Sequence, residues 1–273
     1  MPNIPVFVVT LKRAVERRQR MLSHIESLGI NPRVIDAVDG RLLSAEECTK
    51  LVAPGVQIHA GAIGCYLSHL QIYEQMVAER IPLALVLEDD ARLNPEFVKI
   101  LASGSKSLGF DYCFLDSDDH NDKVDIYYDP DDAIEISGAV RANRLSAGPQ
   151  TTHAYMITLA GAEKRLSAAF PIQKSIDLYD HLPYPIEFRA IVTPKMAWVS
   201  EDSLESFTSD RSVAADSLSL SWLRKSFLFY RLRDALKLKG IKRRLKVQAM
   251  VKAGLLKAGI RWKPLPSGRE VVL

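Results

Sequence analysis

Three consecutive carboxylates, Glu88, Asp89 and Asp90, follow directly on the apolar run Leu83–Leu87. A strand-length run of Leu and Val, set off by Pro82, reads as a buried strand of an α/β sheet. Open α/β sheets bind their ligands outside the carboxyl ends of the strands, so these acids stand where chemistry is done. Alternate side chains project to one side of a strand, which pairs Glu88 with Asp90. Clustered hard oxygen donors suit Mg²⁺ or Mn²⁺, and such a cation would hold a diphosphate. The same three residues also read as an acidic turn that merely ends a strand, and by themselves they leave both readings open.

The elements that must position these acids are legible from periodicity. Residues 4–10 read as a first buried strand, and 13–28 as a helix with Val15, Met21, Leu22, Ile25 and Leu28 as its apolar stripe and Gly29 as its stop. Arg33 to Ala37 reads as a second strand, leading into Asp36-Ala-Val-Asp39-Gly40. A capping pair, Ser44 with Glu47 three residues on, starts a short helix over 44–52. From Gly61 to Glu79 the apolar residues Ile63, Leu67, Leu70, Tyr73 and Val77 recur at helical spacing. Strand and helix thus alternate through the first 90 residues, which predicts a doubly wound, parallel sheet. Further strands are expected at 110–115, 151–159 and 195–199, and a helix at 160–169. The acid-rich stretch from Asp116 to Asp132 reads as a solvated loop, since it lacks the spacing and Gly of a calcium loop.

Size and charge bound the remainder. The chain has 273 residues, 47% of them hydrophobic, enough for one large domain or a domain with an appendage. Residues 1–220 carry 21 Lys/Arg against 31 Asp/Glu, whereas 221–263 carry 14 Lys/Arg against Asp234 alone. We therefore expect a compact acidic domain over 1–220 and a basic, amphipathic, helical tail over 221–273. Val247, Met250, Val251, Leu255 and Ala258 make one helical stripe of that tail, flanked by Lys246, Lys252 and Lys257. Basic helices with interspersed aromatics suit an anionic membrane surface; packing on the body is the plainer alternative, and nucleic acid is not the expected partner. Cys48, Cys65 and Cys113 form no C-x-x-C pair, the start resembles no secretory signal, and no run is long enough to span a bilayer. These features suit a cytoplasmic protein, peripheral on the cytoplasmic face of the inner membrane.

Four segments in order carry a resemblance: Val6-Phe-Val-Val-Thr-Leu-Lys-Arg13 with Glu16-Arg17-Arg18, Asp36-Ala-Val-Asp-Gly40, Gly61-Ala-Ile-Gly-Cys-Tyr-Leu-Ser-His69, and Leu85-Val-Leu-Glu-Asp-Asp90. Together they resemble glycosyltransferase family 25, of the lipopolysaccharide and lipooligosaccharide galactosyltransferase type. The resemblance is close over residues 5–97, looser to about 205, and does not reach the tail. It implies a GT-A-like, Rossmann-type α/β fold with a mixed, mainly parallel sheet flanked by helices. It also implies inverting transfer from a UDP-sugar, commonly UDP-galactose, to a lipid-linked glycan.

Carried onto this chain, the resemblance makes Glu88 and Asp90 the ligands of Mn²⁺ or Mg²⁺, with Asp89 reinforcing the site or turned away. Thr10, Leu11 and Arg13 follow the first strand, where such an enzyme seats its nucleotide; Arg17 reads rather as solvated. Asp39 would bond the uridine or brace the Gly40 turn. Gly64, beside Gly61, would expose helix N–H groups to an anion or permit close packing. Ser68 and His69 follow on that helix, His69 as a ligand-site or a structural residue. Ala62 stands where the pattern often has an acid. An inverting transfer needs a base, typically contributing about 10²–10⁴-fold. Asp177, with Asp180 one helical turn on, matches the later acidic motif; His153 is the second candidate, and Asp116, Asp118 and Asp202 stay open. Two other functions remain compatible with the residues: a metal-dependent phosphotransferase and a non-catalytic sugar- or lipid-binding protein.

Overall fold

The computed structural model describes residues 4–101, 109–115, 126–138, 140–145, 147–192 and 194–200, together with the pair 261–262. Strand and helix alternate as the periodicity predicts: β1 (Val6–Thr10), α1 (Val15–Ser27), β2 (Arg33–Asp36), α2 (Ala45–Leu51), α3 (Ala60–Glu79) and β3 (Leu83–Glu88). Then come β4 (Ala91–Leu93), α4 (Val98–Leu101), β5 (Tyr112–Phe114), β6 (Ile126–Ser137), β7 (Val140–Leu145) and β8 (Ala154–Thr158). The last elements are α5 (Leu159–Ser167), β9 (Phe188–Ala190), β10 (Ala197–Val199) and β11 (Arg261–Trp262).

Local chemistry sets the boundaries. Gly29, at φ 72°, turns the chain out of α1, and Ser44 with Glu47 forms the reciprocal capping box that starts α2. The imidazole of His59 accepts the Ala62 N–H at 3.1 Å and so caps the start of α3.

Nine strands form the main sheet in the order β11-β6-β7-β9-β5-β8-β3-β1-β2. β2, β1 and β3 are mutually parallel, as are β5 and β9, while β8 and β7 run against their neighbours. Six of the nine strands therefore point one way. The reversed β8 brings its own start beside the end of β3: Leu87 pairs with Ala154, and Glu88 N–H donates to the His153 carbonyl at 2.9 Å.

The alternation along β3 divides the core. Leu83, Leu85 and Leu87 face a layer that includes Met21 and Ile25 of α1, whereas Ala84 and Val86 face Ile63, Tyr66, Tyr73 and Met76 of α3. Burial on both faces is why β3 reads as an unbroken apolar run rather than an alternating one.

Some expectations change. Val15 is 68% exposed, so the buried stripe of α1 begins at Met21; Val15 sits in the first turn, before the helix meets the sheet. The acid-rich stretch is not a loop throughout, because 126–132 belong to β6; residues 116–125 lie outside those described. Ser175 to His181 forms turns, not a helix, so helical spacing does not align Asp177 with Asp180. The expected tail lies outside the described residues except for β11, which pairs antiparallel with β6 at the sheet edge and is a strand, not helix.

Candidate active site

Three parallel strands deliver their ends to one place. Thr10 closes β1, Glu88 closes β3, and the segment from Ala37 to Arg41 leaves β2. The Gly61–Ser68 part of α3 supplies the opposite wall. Between them lies a cleft of about 150 Å³ whose lining includes Thr10, Arg13, Asp39, Cys65, Glu88 and Asp90. Leu11, Arg17, Gly61, Ser68 and Asp89 also border it.

The three acids have three different environments. Glu88 Oε1 accepts from Thr152 Oγ1 at 2.5 Å, stands 3.1 Å from His69 Nε2 and 4.0 Å from Cys65 Sγ. Burial alone would raise its pKa, but the hydrogen bonds from His69 and from the Thr152 hydroxyl bring the carboxyl down to about 2. Asp89 turns the other way and is 8% exposed. It accepts from Thr10 Oγ1 at 2.7 Å and from the guanidinium of Arg17. Burial raises its pKa, against the opposing charge of Arg17. Asp90 lies 3.3 Å from Arg17 through Oδ2, while its buried Oδ1 has no hydrogen-bond partner among the described residues. Burial, then the charge of Glu88, pushes its carboxyl up to about 6.

Arg17 thus differs from its sequence reading. Its side chain is 16% exposed and bridges Asp89 and Asp90. The reason is local: only four residues separate β1 from α1, so the first turn of the helix stays beside the strand ends and Arg17 reaches the acids rather than solvent.

His69 belongs to a buried chain of hydroxyls. Tyr112 Oη donates to Tyr73 Oη at 3.1 Å, Tyr73 Oη is 2.8 Å from Tyr155 Oη, and Tyr155 Oη is 2.7 Å from His69 Nδ1. Each tyrosine has one proton, so donation by Tyr112 directs the chain toward His69. Nδ1 then accepts and Nε2–H donates to Glu88. The ring is fully buried and acts on the cleft through Glu88.

The other expected residues fall as follows. Asp39 braces the turn: it accepts the Arg41 N–H at 3.1 Å and pairs with Arg13 at 2.6 Å. Arg13 is thereby held at the cleft wall. A Cβ on Gly64 would lie 2.4 Å from the Val38 carbonyl oxygen and 2.7 Å from Gly40 N, so close packing is its local requirement. Ser68 Oγ donates to the Gly64 carbonyl at 2.6 Å and accepts the Val38 N–H at 2.9 Å. His153 is buried, bonds Thr151 Oγ1, and lies near enough for its charge to act on Glu88 and Asp90. The charge of Asp177 acts on Cys65, as do those of Glu88 and Asp90, but Asp177 is not among the residues that line the cleft. Asp180 is exposed, and Lys174 contacts both its oxygens at 2.6 Å. Asp116, Asp118 and Asp202 lie outside the described residues.

Sequence reasoning singled out neither Cys65, Thr152 nor Tyr155. Cys65 had a usable signal, since it sits four residues before His69 and shares its helix face. Thr152 and Tyr155 had none, because only the antiparallel entry of β8 brings them to Glu88 and His69.

A mixed sheet with most strands in one direction, helices on both faces and acids gathered at the strand ends defines a GT-A-like α/β fold. The chain belongs to glycosyltransferase family 25: residues 3–179 match the family described as glycosyltransferase family 25 (LPS biosynthesis protein). A rat protein named probable inactive glycosyltransferase 25 family member 3 is 33% identical over 194 residues, covering 65% of this chain and 32% of the relative. A Drosophila melanogaster protein named glycosyltransferase 25 family member is 32% identical over 193 residues, covering 65% and 30%. The chain spans about a third of the length of the curated relatives it matches. A solved glycosyltransferase involved in glycosylation of the major capsid of PBCV-1 aligns with TM-score 0.33 and 13% identity, over 59% of this chain and 63% of that one.

Proposed function

We propose that this protein is an inverting, metal-dependent glycosyltransferase that moves a hexose, galactose from UDP-galactose in the leading version, onto a lipopolysaccharide or related glycan. The observation that carries the reading is the convergence of Glu88 and Asp90 with Thr10, Arg13 and Asp39 on one cleft at the ends of three parallel strands. The residues fit a divalent cation: Asp90 has a buried oxygen that no described residue partners, beside an ionised Glu88, and both donors are hard. Glu88 and Asp90 would hold Mn²⁺ or Mg²⁺, which supplies positive charge to a departing diphosphate.

The chain's own groups supply the rest. His69 and Thr152 hold the Glu88 carboxylate ionised and oriented. Arg17 is committed to Asp89 and Asp90, so it neutralises the cluster rather than binding phosphate directly. Arg13, held by Asp39, presents charge at the nucleotide wall. Asp177 is the first candidate to take the acceptor hydroxyl's proton onto its carboxylate; Asp180, engaged with Lys174, and His153, buried behind Glu88, follow it. A lipid-linked acceptor at the cytoplasmic face of a membrane would suit the basic segment 221–263.

The test is release of UDP from a panel of nucleotide sugars with and without Mn²⁺. We expect one donor to be turned over, and Asp90→Asn to lose the metal-dependent rate by at least about 10²-fold. Full activity in that variant would overturn the assignment. A second reading, a non-catalytic sugar- or lipid-binding protein, draws on the inactive label of the mammalian relatives. It predicts no turnover of any donor, with binding retained.

A further inference from the structure

We propose that Cys65, His69 and Glu88 form a second cation site, selective for a borderline-soft divalent ion such as Zn²⁺. Cys65 Sγ, His69 Nε2 and Glu88 Oε1 lie within 4.8 Å of one another. Cys65 and His69 are four apart on α3 and so face the same way; Glu88 ends β3, against which α3 packs. All three donors are therefore set by rigid elements, not loops. The separations of 3.1 Å between His69 and Glu88 and 4.0 Å between Cys65 and Glu88 are close to what one tetrahedral ion spans, given bonds of about 2.0–2.3 Å.

The outer contacts have the form that metal ligands require. A histidine ligand commonly fixes its ring through the far nitrogen, and His69 Nδ1 already meets Tyr155 Oη at 2.7 Å. Binding needs the Nε2 lone pair, so the ring proton moves to Nδ1 and the hydroxyls of Tyr155, Tyr73 and Tyr112 rotate to donate the opposite way. Glu88 is anchored by the Thr152 hydroxyl. Cys65 and Glu88 border the cleft, which gives an ion its path in and leaves a fourth position for water or an anion. Cys65 Sγ loses its proton to solvent as the sulfur–metal bond forms. A thiolate–imidazole–carboxylate set favours Zn²⁺ over Mg²⁺ or Mn²⁺, which prefer oxygen alone.

The site shares Glu88 with the acids assigned above but rests on Cys65 and His69, not on Asp90, so the two assignments can fail separately. Co²⁺ is the probe, because a cysteine thiolate bound to it absorbs by ligand-to-metal charge transfer. Titration of the full-length protein with Co²⁺ is expected to give that absorption at one equivalent, with Zn²⁺ displacing it. Cys65→Ser should abolish the band, His69→Ala should weaken Co²⁺ binding by at least about tenfold, and Asp90→Asn and Cys48→Ser should keep it. Circular dichroism establishes that each variant is folded, and Glu88→Gln gives a second route to weaker binding. Absence of the band in the native protein, or its persistence in Cys65→Ser, would overturn the site. Loss of the band in Asp90→Asn would make Asp90 part of the same site and overturn the assignment equally.

Discussion

At the residue scale, Asp90 carries charge under the least favourable conditions in the cleft. Its carboxyl is pushed up to about 6 by burial and by Glu88, and one of its oxygens has no partner among the described residues. A carboxylate whose folded pKa exceeds its unfolded value binds more protons when folded. Stability then falls as pH rises from the unfolded value toward 6, and the cost is fully present above it. Asp90→Asn is therefore expected to stabilise the metal-free protein at pH 7 by about 1–2 kcal/mol, with the gain vanishing near pH 4. Urea denaturation of both proteins across that range checks it. The acids themselves were legible as residue types at a strand end. Their partners were not: Arg17 and Asp89 are 72 residues apart, and Thr152 and Glu88 are 64 apart.

At the element scale, the site depends on how closely α3 approaches the loop after β2. Gly40 and Gly64 meet backbone to backbone: a Cβ at Gly40 would fall 1.8 Å from the Ala60 carbonyl oxygen, and one at Gly64 2.4 Å from that of Val38. Neither obstacle is a flexible side chain. Gly64→Ala must push α3 away from Val38, weakening the Val38 N–H bond to Ser68 and moving His69 from Glu88. We expect a loss of about 2–4 kcal/mol in urea denaturation, more than a routine surface substitution. An unchanged midpoint would show that the helix can yield there. The glycines were visible in the sequence, yet their reason was not, since a helix start that accepts anions and one that packs tightly call for the same residue.

At the scale of the whole molecule, charge is divided between the body and the segment 221–263. No described helix is long and apolar enough to cross a membrane. We propose that the basic segment brings the cleft to an anionic surface, at roughly 1 kcal/mol for each Lys or Arg near it. Replacing Lys242, Arg243 and Arg244 by Gln in the full chain keeps β11 and its pairing with β6. Co-sedimentation with phosphatidylglycerol-rich vesicles should then fall by at least about tenfold at low salt. Equal sedimentation of both proteins would refute an anchor that uses these charges.

The sequence by itself determined the order of elements through β3, the two-faced burial of that strand and the position of the acids at its end. Each follows from local periodicity, caps and the immediate neighbours of a residue. The family, too, was readable, because four short motifs occur in order. Only the tertiary structure decided which acid is ionised, which is neutralised by Arg17 and which keeps an unpartnered oxygen. That outcome depends on β8 entering antiparallel beside β3 and on the first turn of α1 setting Arg17 against the acids at the end of β3. Both bring together residues far apart in the chain, and no pattern along the sequence encodes their distance in space.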